Sequence, residues 1–164
     1  MDIINKTNAQ IQISVPMHHE EAATTVRHPT NWSQFITKQS KWDRNFLSKL
    51  QWKQTPKALW QQLLNPYQVI YIASDGGYDQ IKGSYGWVIG DDAEIYVIGN
   101  GIATGNPTTS YRAEGFGILS SLRFLTKYIE YYGIIETTQI RLYCDNKSMI
   151  NQITNYDENK KMAN

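Results

Sequence analysis

The sequence contains a single cysteine, Cys144, among its 164 residues. One cysteine excludes an intramolecular disulfide and a cysteine-rich zinc site, so any bound metal would need oxygen ligands. No run approaches the roughly 18 consecutive apolar residues that indicate a membrane-spanning helix. The first ten residues also lack the basic-then-apolar order of a signal peptide. We therefore expect a soluble, intracellular protein of the cytoplasm or the nucleus, with no membrane partner.

An excess of one charge is absent as well, because 16 Lys and Arg residues oppose 15 Asp and Glu residues. The charges are unevenly distributed, since residues 1–68 carry a net charge of +4 and the remainder carries −3. The hydrophobic content of 41% is sufficient for one core and excludes wholesale disorder. The change in charge indicates a boundary near Pro66.

Three segments follow from this pattern. Residues 1–30 are polar apart from a β-like patch at Ile11 and Ile13, and we expect them to form an arm. Residues 31–67 have apolar positions at helical spacing and predict a connector of two helices. Residues 68–164 predict an α/β domain.

The connector is rich in tryptophan and lysine. Aromatic rings combined with cationic side chains bind single strands and hybrids of nucleic acid. Alternatively, the tryptophans pack the connector helices against the α/β domain. Both interpretations are open for Trp32, Trp42, Trp52 and Trp60.

The α/β domain begins with a nearly continuous apolar, β-branched run over residues 69–73, as expected of a buried strand. Turn signals separate this strand from two more, which complete an antiparallel meander. A long helix follows its expected N-cap Thr109 and ends at Gly133, and a fourth strand, Gln139–Cys144, precedes a short helix over 147–153. The right-handed crossover rule places the fourth strand parallel to the first and beside it. The second and third strands cover residues 85–89 and 94–99.

This topology brings three carboxylates to one end of the predicted sheet. Asp75 and Asp145 end two adjacent strands, and we place Glu114 in the first turn of the crossing helix. Two carboxylates about 4 Å apart repel by roughly 4 kcal/mol at an effective dielectric constant of about 20. Such a cluster requires a proton or a cation. Mg²⁺ accepts oxygen ligands, and a pair of ions about 3.5–4 Å apart supports phosphodiester hydrolysis.

Each carboxylate also has a local explanation. Asp75 precedes Gly76 and is compatible with a turn. Glu114 near a helix start would complement the helix dipole. Asp145 or Asn146 would cap the helix that follows. Together, these explanations need three independent reasons for three carboxylates at one end of one sheet.

Four segments resemble the ribonuclease H domain of the retroviral and retrotransposon type, over roughly residues 68–155. A strand ending in Asp-Gly, Arg-Ala-Glu on a helix and a strand ending in Asp-Asn are specific in combination. The resemblance implies a mixed ribonuclease H-like sheet, with an antiparallel three-stranded meander, a parallel strand and a crossover helix. The matching segments are 70–77 (IYIASDGG), 83–89 (GSYGWVI), 110–114 (SYRAE) and 142–148 (LYCDNKS).

The resemblance also implies an activity and its residues. Members of the family hydrolyse the RNA strand of RNA–DNA hybrids at a two-metal site, within retroelement polyproteins that carry a reverse transcriptase domain. Asp75, Glu114 and Asp145 would be the catalytic residues and ligands of Mg²⁺, with Mn²⁺ as a substitute. Gly76 would let a sugar approach the backbone, where a 2′-hydroxyl distinguishes RNA from DNA. The residues implied in contact with nucleic acid are Gly76, Gly77, Arg112 (which would face either a phosphate or solvent) and Asn146.

The carboxyl-terminal part of the sequence departs from the family. Only 19 residues follow Asp145, whereas the family continues with a fifth strand, further helices and a fourth carboxylate. We therefore expect a domain that lacks its carboxyl-terminal part, with the fourth strand as an uncovered edge. Two alternatives remain open: a catalytically impaired module that binds nucleic acid, and a related DNA-acting nuclease or transposase-type enzyme.

Overall fold

The computed structural model describes residues 9–13, 31–105, 109–133, 139–149, 151 and 155. Helices and strands both contribute, which confirms the α/β class. None of the helices within these residues is long and apolar enough to cross a membrane. The elements are β1 (Ala9–Ile13), α1 (Trp32–Lys38), α2 (Lys41–Leu47), β2 (Gln51–Trp52), α3 (Pro56–Leu63), β3 (Val69–Tyr78), β4 (Gly83–Gly90), β5 (Ile95–Ala103), α4 (Ser110–Tyr132) and β6 (Gln139–Cys144).

The strands form one mixed sheet in the order β1-β6-β3-β4-β5-β2. β3, β4 and β5 pair antiparallel, and β6 runs parallel to β3 with Ile72 opposite Leu142. The predicted meander with one parallel strand is therefore confirmed. β3 continues to Tyr78, beyond its predicted end at residue 73, because its pairing with β4 extends through Gly76 and Gly77.

β1 lies in the segment that we expected to be an arm. It pairs antiparallel with β6 over all five of its residues, with Ala9 opposite Cys144 and Ile13 opposite Ile140. The expectation of an uncovered edge at β6 is therefore wrong. An edge strand has unpaired N–H and C=O groups, and here a strand from upstream in the chain supplies their partners.

The segment expected to form two connector helices contains three helices and the short strand β2. Ser40 separates α1 from α2 because its hydroxyl accepts a hydrogen bond from the N–H of Asp43 and caps a new helix. β2 pairs with β5 at Val97 and Ile98 and so extends the sheet. The helices contribute to the same core as the strands and α4. This core includes Phe35, Leu47, Leu59, Leu63, Ile70, Ile72, Phe124 and Leu142.

The tryptophans divide into two groups. Trp32, Trp52 and Trp60 pack in or against the core, and Trp87 is buried within it. Trp42 is 61% exposed. The packing interpretation therefore holds for the three connector tryptophans that contact the core, and it does not hold for Trp42.

α4 crosses one face of the sheet and is closely packed against β3 and β4. At Gly117, an added Cβ would lie 3.3 Å from the Cβ of Ser74. One turn later, Ser120 accepts a 2.9 Å hydrogen bond from the indole of the buried Trp87. These contacts hold the first turns of α4 beside the carboxyl end of β3. Asp75 lies near that end of β3, and Glu114 lies in the neighbouring part of α4.

Candidate active site

The register of β3 and β6 brings two aspartates to equivalent positions. The last parallel pair joins Ser74 to Cys144, and the next residues along the chain are Asp75, still in β3, and Asp145, directly after β6. Neighbouring strands are about 4.8 Å apart, so these residues share the carboxyl end of the parallel pair. Asp75 remains within β3, where it is paired with Gly86 of β4. The interpretation of Asp75 as a turn residue is therefore wrong.

Glu114 lies in the second turn of α4. The helix begins after Thr109, whose side chain accepts a hydrogen bond from the N–H of Arg112, and no acidic residue lies in the first turn. The expectation of a first-turn position is therefore wrong, and the helix dipole no longer explains this glutamate, because the dipole effect is confined to the first turn. Glu114 is only 8% exposed. A buried carboxylate without a cation partner requires hydrogen bonds.

Glu114 and Asp145 belong to a compact group with Cys144. Within the described part of the chain, this is the group in which three possible ligand atoms all lie within 4.8 Å of one another. The thiol of Cys144 donates to Oε2 of Glu114 across 3.7 Å. Asp75 lies outside this group. The structure thus brings two of the three predicted carboxylates into one cluster and places the third on the neighbouring strand.

Electrostatic effects link all three carboxylates. Burial raises the pKa of Glu114, and the negative charges of Asp145 and Asp75 act in the same direction. Hydrogen bonds from Asn146 and Cys144 favour the ionised carboxylate and partly oppose this effect. Burial also raises the pKa of the Cys144 thiol, and the charges of Glu114 and Asp145 add to it. Cys144 is therefore a neutral thiol at physiological pH, and a hydrogen-bond donor to Glu114.

Asn146 has two contacts that explain its position. Its Oδ1 accepts a 3.1 Å hydrogen bond from the N–H of Met149, so it caps the helical residues that follow β6. Its side chain also forms a hydrogen bond with Glu114. The helix-cap interpretation is thus right for Asn146 and wrong for Asp145, which is exposed at the end of β6. Sequence reasoning missed the contacts of Cys144 and Asn146 with Glu114, although both residues flank Asp145.

The two glycines and Arg112 lie in different environments. Gly76 lies against the backbone of α4, whereas no atom would lie within 4 Å of a Cβ at the exposed Gly77. Arg112 is exposed, and its guanidinium covers Gly105, whose φ of 137° suits glycine. Contact of these residues with nucleic acid stays a prediction.

Comparison with models of protein families finds no significant match, and neither does comparison with curated proteins or with solved structures.

Proposed function

We propose that this chain has a ribonuclease H-like fold and hydrolyses the RNA strand of RNA–DNA hybrids, as a metal-dependent endonuclease. Asp75, Glu114 and Asp145 are its catalytic residues. The observation that carries the proposal is the register of β3 and β6, in which an aspartate follows each member of the last parallel pair, Ser74 and Cys144.

The arrangement of the elements supports this assignment. A meander, a helix across one face and a strand parallel to the first occur in the order that the resemblance implies. Asp75 and Asp145 are exposed, as an endonuclease requires for a continuous strand to reach its site. Glu114 is buried on α4, the helix that precedes β6 and packs against β3.

The donor set fits a hard divalent cation, Mg²⁺ or its substitute Mn²⁺. Carboxylate oxygens are preferred ligands of both ions. Cys144 does not belong to this set, because its buried thiol stays protonated and donates to Glu114. When bound by the three carboxylates, the metal would activate water and stabilise the leaving oxygen.

The chain's own residues hold the carboxylates in position. Asn146 connects Glu114 to the start of the helix after β6, and Cys144 donates to the same carboxylate. Glu114 is thereby oriented toward Asp145 before any metal binds. Burial and the like charges of Asp145 and Asp75 raise the pKa of Glu114, and a divalent cation would compensate these effects.

The proposed setting follows from the same resemblance. The activity would take place inside the cell, in the cytoplasm or the nucleus, where a retroelement polyprotein would supply a reverse transcriptase domain as partner. The RNA–DNA hybrid that this partner makes would be the substrate.

The test is cleavage of an RNA–DNA hybrid labelled on its RNA strand, in Mg²⁺, Mn²⁺ or EDTA, with a DNA duplex as the substrate control. The decisive variant is Asp75→Asn. Asp92→Asn is the matched control, because Asp92 is an exposed aspartate between β4 and β5 and outside the carboxylate cluster. We expect metal-dependent cutting of the RNA strand, retained in Asp92→Asn and lost in Asp75→Asn.

Other outcomes would contradict the proposal in distinct ways. A folded protein that binds the hybrid and never cuts it would be the catalytically impaired module. Cutting of the DNA duplex in preference to the hybrid would indicate a DNA-acting enzyme.

A further inference from the structure

Trp42 differs from the other connector tryptophans because it is 61% exposed. The guanidinium of Arg123 lies over its ring, 4.0 Å from the centroid. Phe46 stacks beside it, with ring centroids 6.0 Å apart and planes at 27°. Arg123 is held in turn by Asp43, 2.8 Å away. The indole is therefore supported from α4 while much of its surface faces solvent.

The surroundings of Trp42 are positively charged. Lys41, Arg44 and Lys49 are exposed, and none of them has a carboxylate within ion-pair distance in the described ranges. Asp43 is the only acidic residue between positions 31 and 67, and its charge is compensated by Arg123. This Trp42 surface (Lys41, Trp42, Arg44 and Lys49) thus has the charge that complements a polyanion.

A groove runs from the Trp42 surface along α4 as far as Phe116. It encloses about 1090 Å³ and is lined by Trp42, Phe116, Leu119 and Arg123 among others. Phe116 is two residues beyond Glu114, and Leu119 is 67% exposed in the groove. Phe116 and Arg123 are about 10 Å apart along α4. The groove therefore leads from Trp42 toward the part of α4 that carries Glu114, although Glu114 itself does not line it.

We infer that the Trp42 surface binds a single nucleic-acid strand that extends from a hybrid held at the carboxylates. Every base offers a face that can stack on an exposed indole, and phosphates interact with the cations around it. The carboxylate side chains of an acidic peptide would interact with the cations, but they offer no aromatic face to stack on the indole. The inference rests on the proposed function for the hybrid, and it adds a second site of contact outside the carboxylate cluster.

The test is binding measured by fluorescence anisotropy in EDTA, so that no cleavage occurs. The probes are a blunt RNA–DNA hybrid and the same hybrid with a single-stranded DNA or RNA overhang. We expect the overhang to strengthen binding, and Trp42→Ala to weaken binding of the overhang probes about fivefold or more. Trp42→Phe should retain most of the affinity. Tyr67→Ala is the matched control, because Tyr67 is 94% exposed and lies away from the groove.

The charged residues have their own test. Lys41→Gln, Arg44→Gln and Lys49→Gln combined should reduce the slope of log affinity against log salt by roughly 2, since each phosphate contact to a single strand contributes about 0.7. Lys53→Gln with Lys57→Gln is the control, because both lysines are exposed in the same segment and do not line the groove. Circular dichroism of each variant confirms that it is folded.

Two results would overturn the inference. One is Trp42→Ala binding the overhang probes as tightly as Tyr67→Ala does. The other is polyglutamate competing as strongly as a single strand of equal charge, which would indicate an acidic protein partner. Because binding is read without metal and cutting is read with it, failure of this surface and failure of the proposed activity give different results.

Discussion

Gly76 of β3 lies directly against the backbone of Glu114 in α4. A Cβ at Gly76 would lie 2.7 Å from the Cα of Glu114, and closer still to its backbone nitrogen. Side chains do not fit at such distances, and a backbone cannot move away without separating the helix from the strand. The missing side chain of Gly76 therefore brings Glu114 to the carboxyl ends of β3 and β6. Gly76 therefore has a packing role that does not depend on contact with nucleic acid.

Gly76→Ala should destabilise the protein by about 2 kcal/mol or more, because overpacking forces backbone shifts. Gly77→Ala is the matched control, with no atom within 4 Å of the added Cβ, and should change stability by less than about 0.5 kcal/mol. Urea unfolding of both variants checks this difference. Equal stabilities would show that α4 and β3 are not packed as closely as described.

Glu114→Gln should stabilise the metal-free protein at neutral pH. Because burial, with the charges of Asp145 and Asp75, raises the pKa of Glu114 above 4.5, ionised Glu114 is unfavourable in the folded state. The advantage of the glutamine variant should shrink as the pH falls below the folded pKa, and it should vanish below about 4.5, where Glu114 is protonated in the folded and the unfolded state. Thermal unfolding in EDTA from pH 7 downward measures it. If Glu114→Gln were less stable than the wild type at pH 7, the charge of Glu114 would not be unfavourable in the folded state.

Mg²⁺ should raise the melting temperature of the wild type and have much less effect on Glu114→Gln or Asp145→Asn. At a concentration about 100 times the dissociation constant, a ligand adds about 2.7 kcal/mol of stability, or about 5–10 °C for a chain of this size. Thermal unfolding with Mg²⁺ and then with excess EDTA measures the shift and its reversal. An identical shift in wild type and both variants would place Mg²⁺ elsewhere.

Asp43→Asn should lower stability by about 1.5–3 kcal/mol at neutral pH, because Arg123 loses a charged hydrogen-bond partner. Burial alone would raise the pKa of Asp43, but hydrogen bonds from Arg123 and Ser40 outweigh it and hold the pKa below 3.8. The Asp43–Arg123 pair therefore stabilises the protein at pH values above 3.8, and this stabilisation is lost as the pH falls through the folded pKa of Asp43. Urea unfolding at neutral pH and at a series of pH values down to the folded pKa measures this loss.

The exposed pair Lys127–Glu130 is the control for that measurement. Its atoms are also close, at 2.7 Å, but Glu130 is 49% exposed. Exposed pairs contribute about 0–1 kcal/mol, so Glu130→Gln should have a smaller effect than Asp43→Asn. The opposite order would show that α2 is not anchored to α4 through Asp43.

The Cys144 thiol should react slowly with Ellman's reagent in the native protein. It is 4% exposed, and burial together with the charges of Glu114 and Asp145 raises its pKa, so little thiolate is present. Reaction should become complete in denaturant, at a rate that follows unfolding. Rapid stoichiometric labelling of the native protein would contradict the described environment of the thiol.

The elements that the sequence predicted well have signals close together in the chain. α4 begins after Thr109 and ends at Gly133 as predicted, because a cap hydroxyl and a glycine act within one turn of the helix. β6 has its predicted bounds, since its β-branched and apolar residues favour a strand locally. The prediction that Glu114 lies in the first turn of α4 was nevertheless wrong.

Pairing between distant segments could not be predicted in this way. β1 covers β6, and β2 extends β5, through backbone hydrogen bonds between residues far apart in sequence. The sequence of a short segment such as Ala9–Ile13 does not predict the strand with which it pairs. The partner depends on which edge the rest of the fold leaves open.

The candidate site shows the same division. By itself, the sequence determined the α/β class, the parallel crossover and the presence of Asp75, Glu114 and Asp145 near one end of the sheet. Only the tertiary structure decided that Glu114 is buried with Cys144 and Asn146, that Asp75 stays within a strand, and that Trp42 faces solvent. Burial and contact depend on surfaces that meet only when the chain is packed, and local patterns do not encode which surfaces meet.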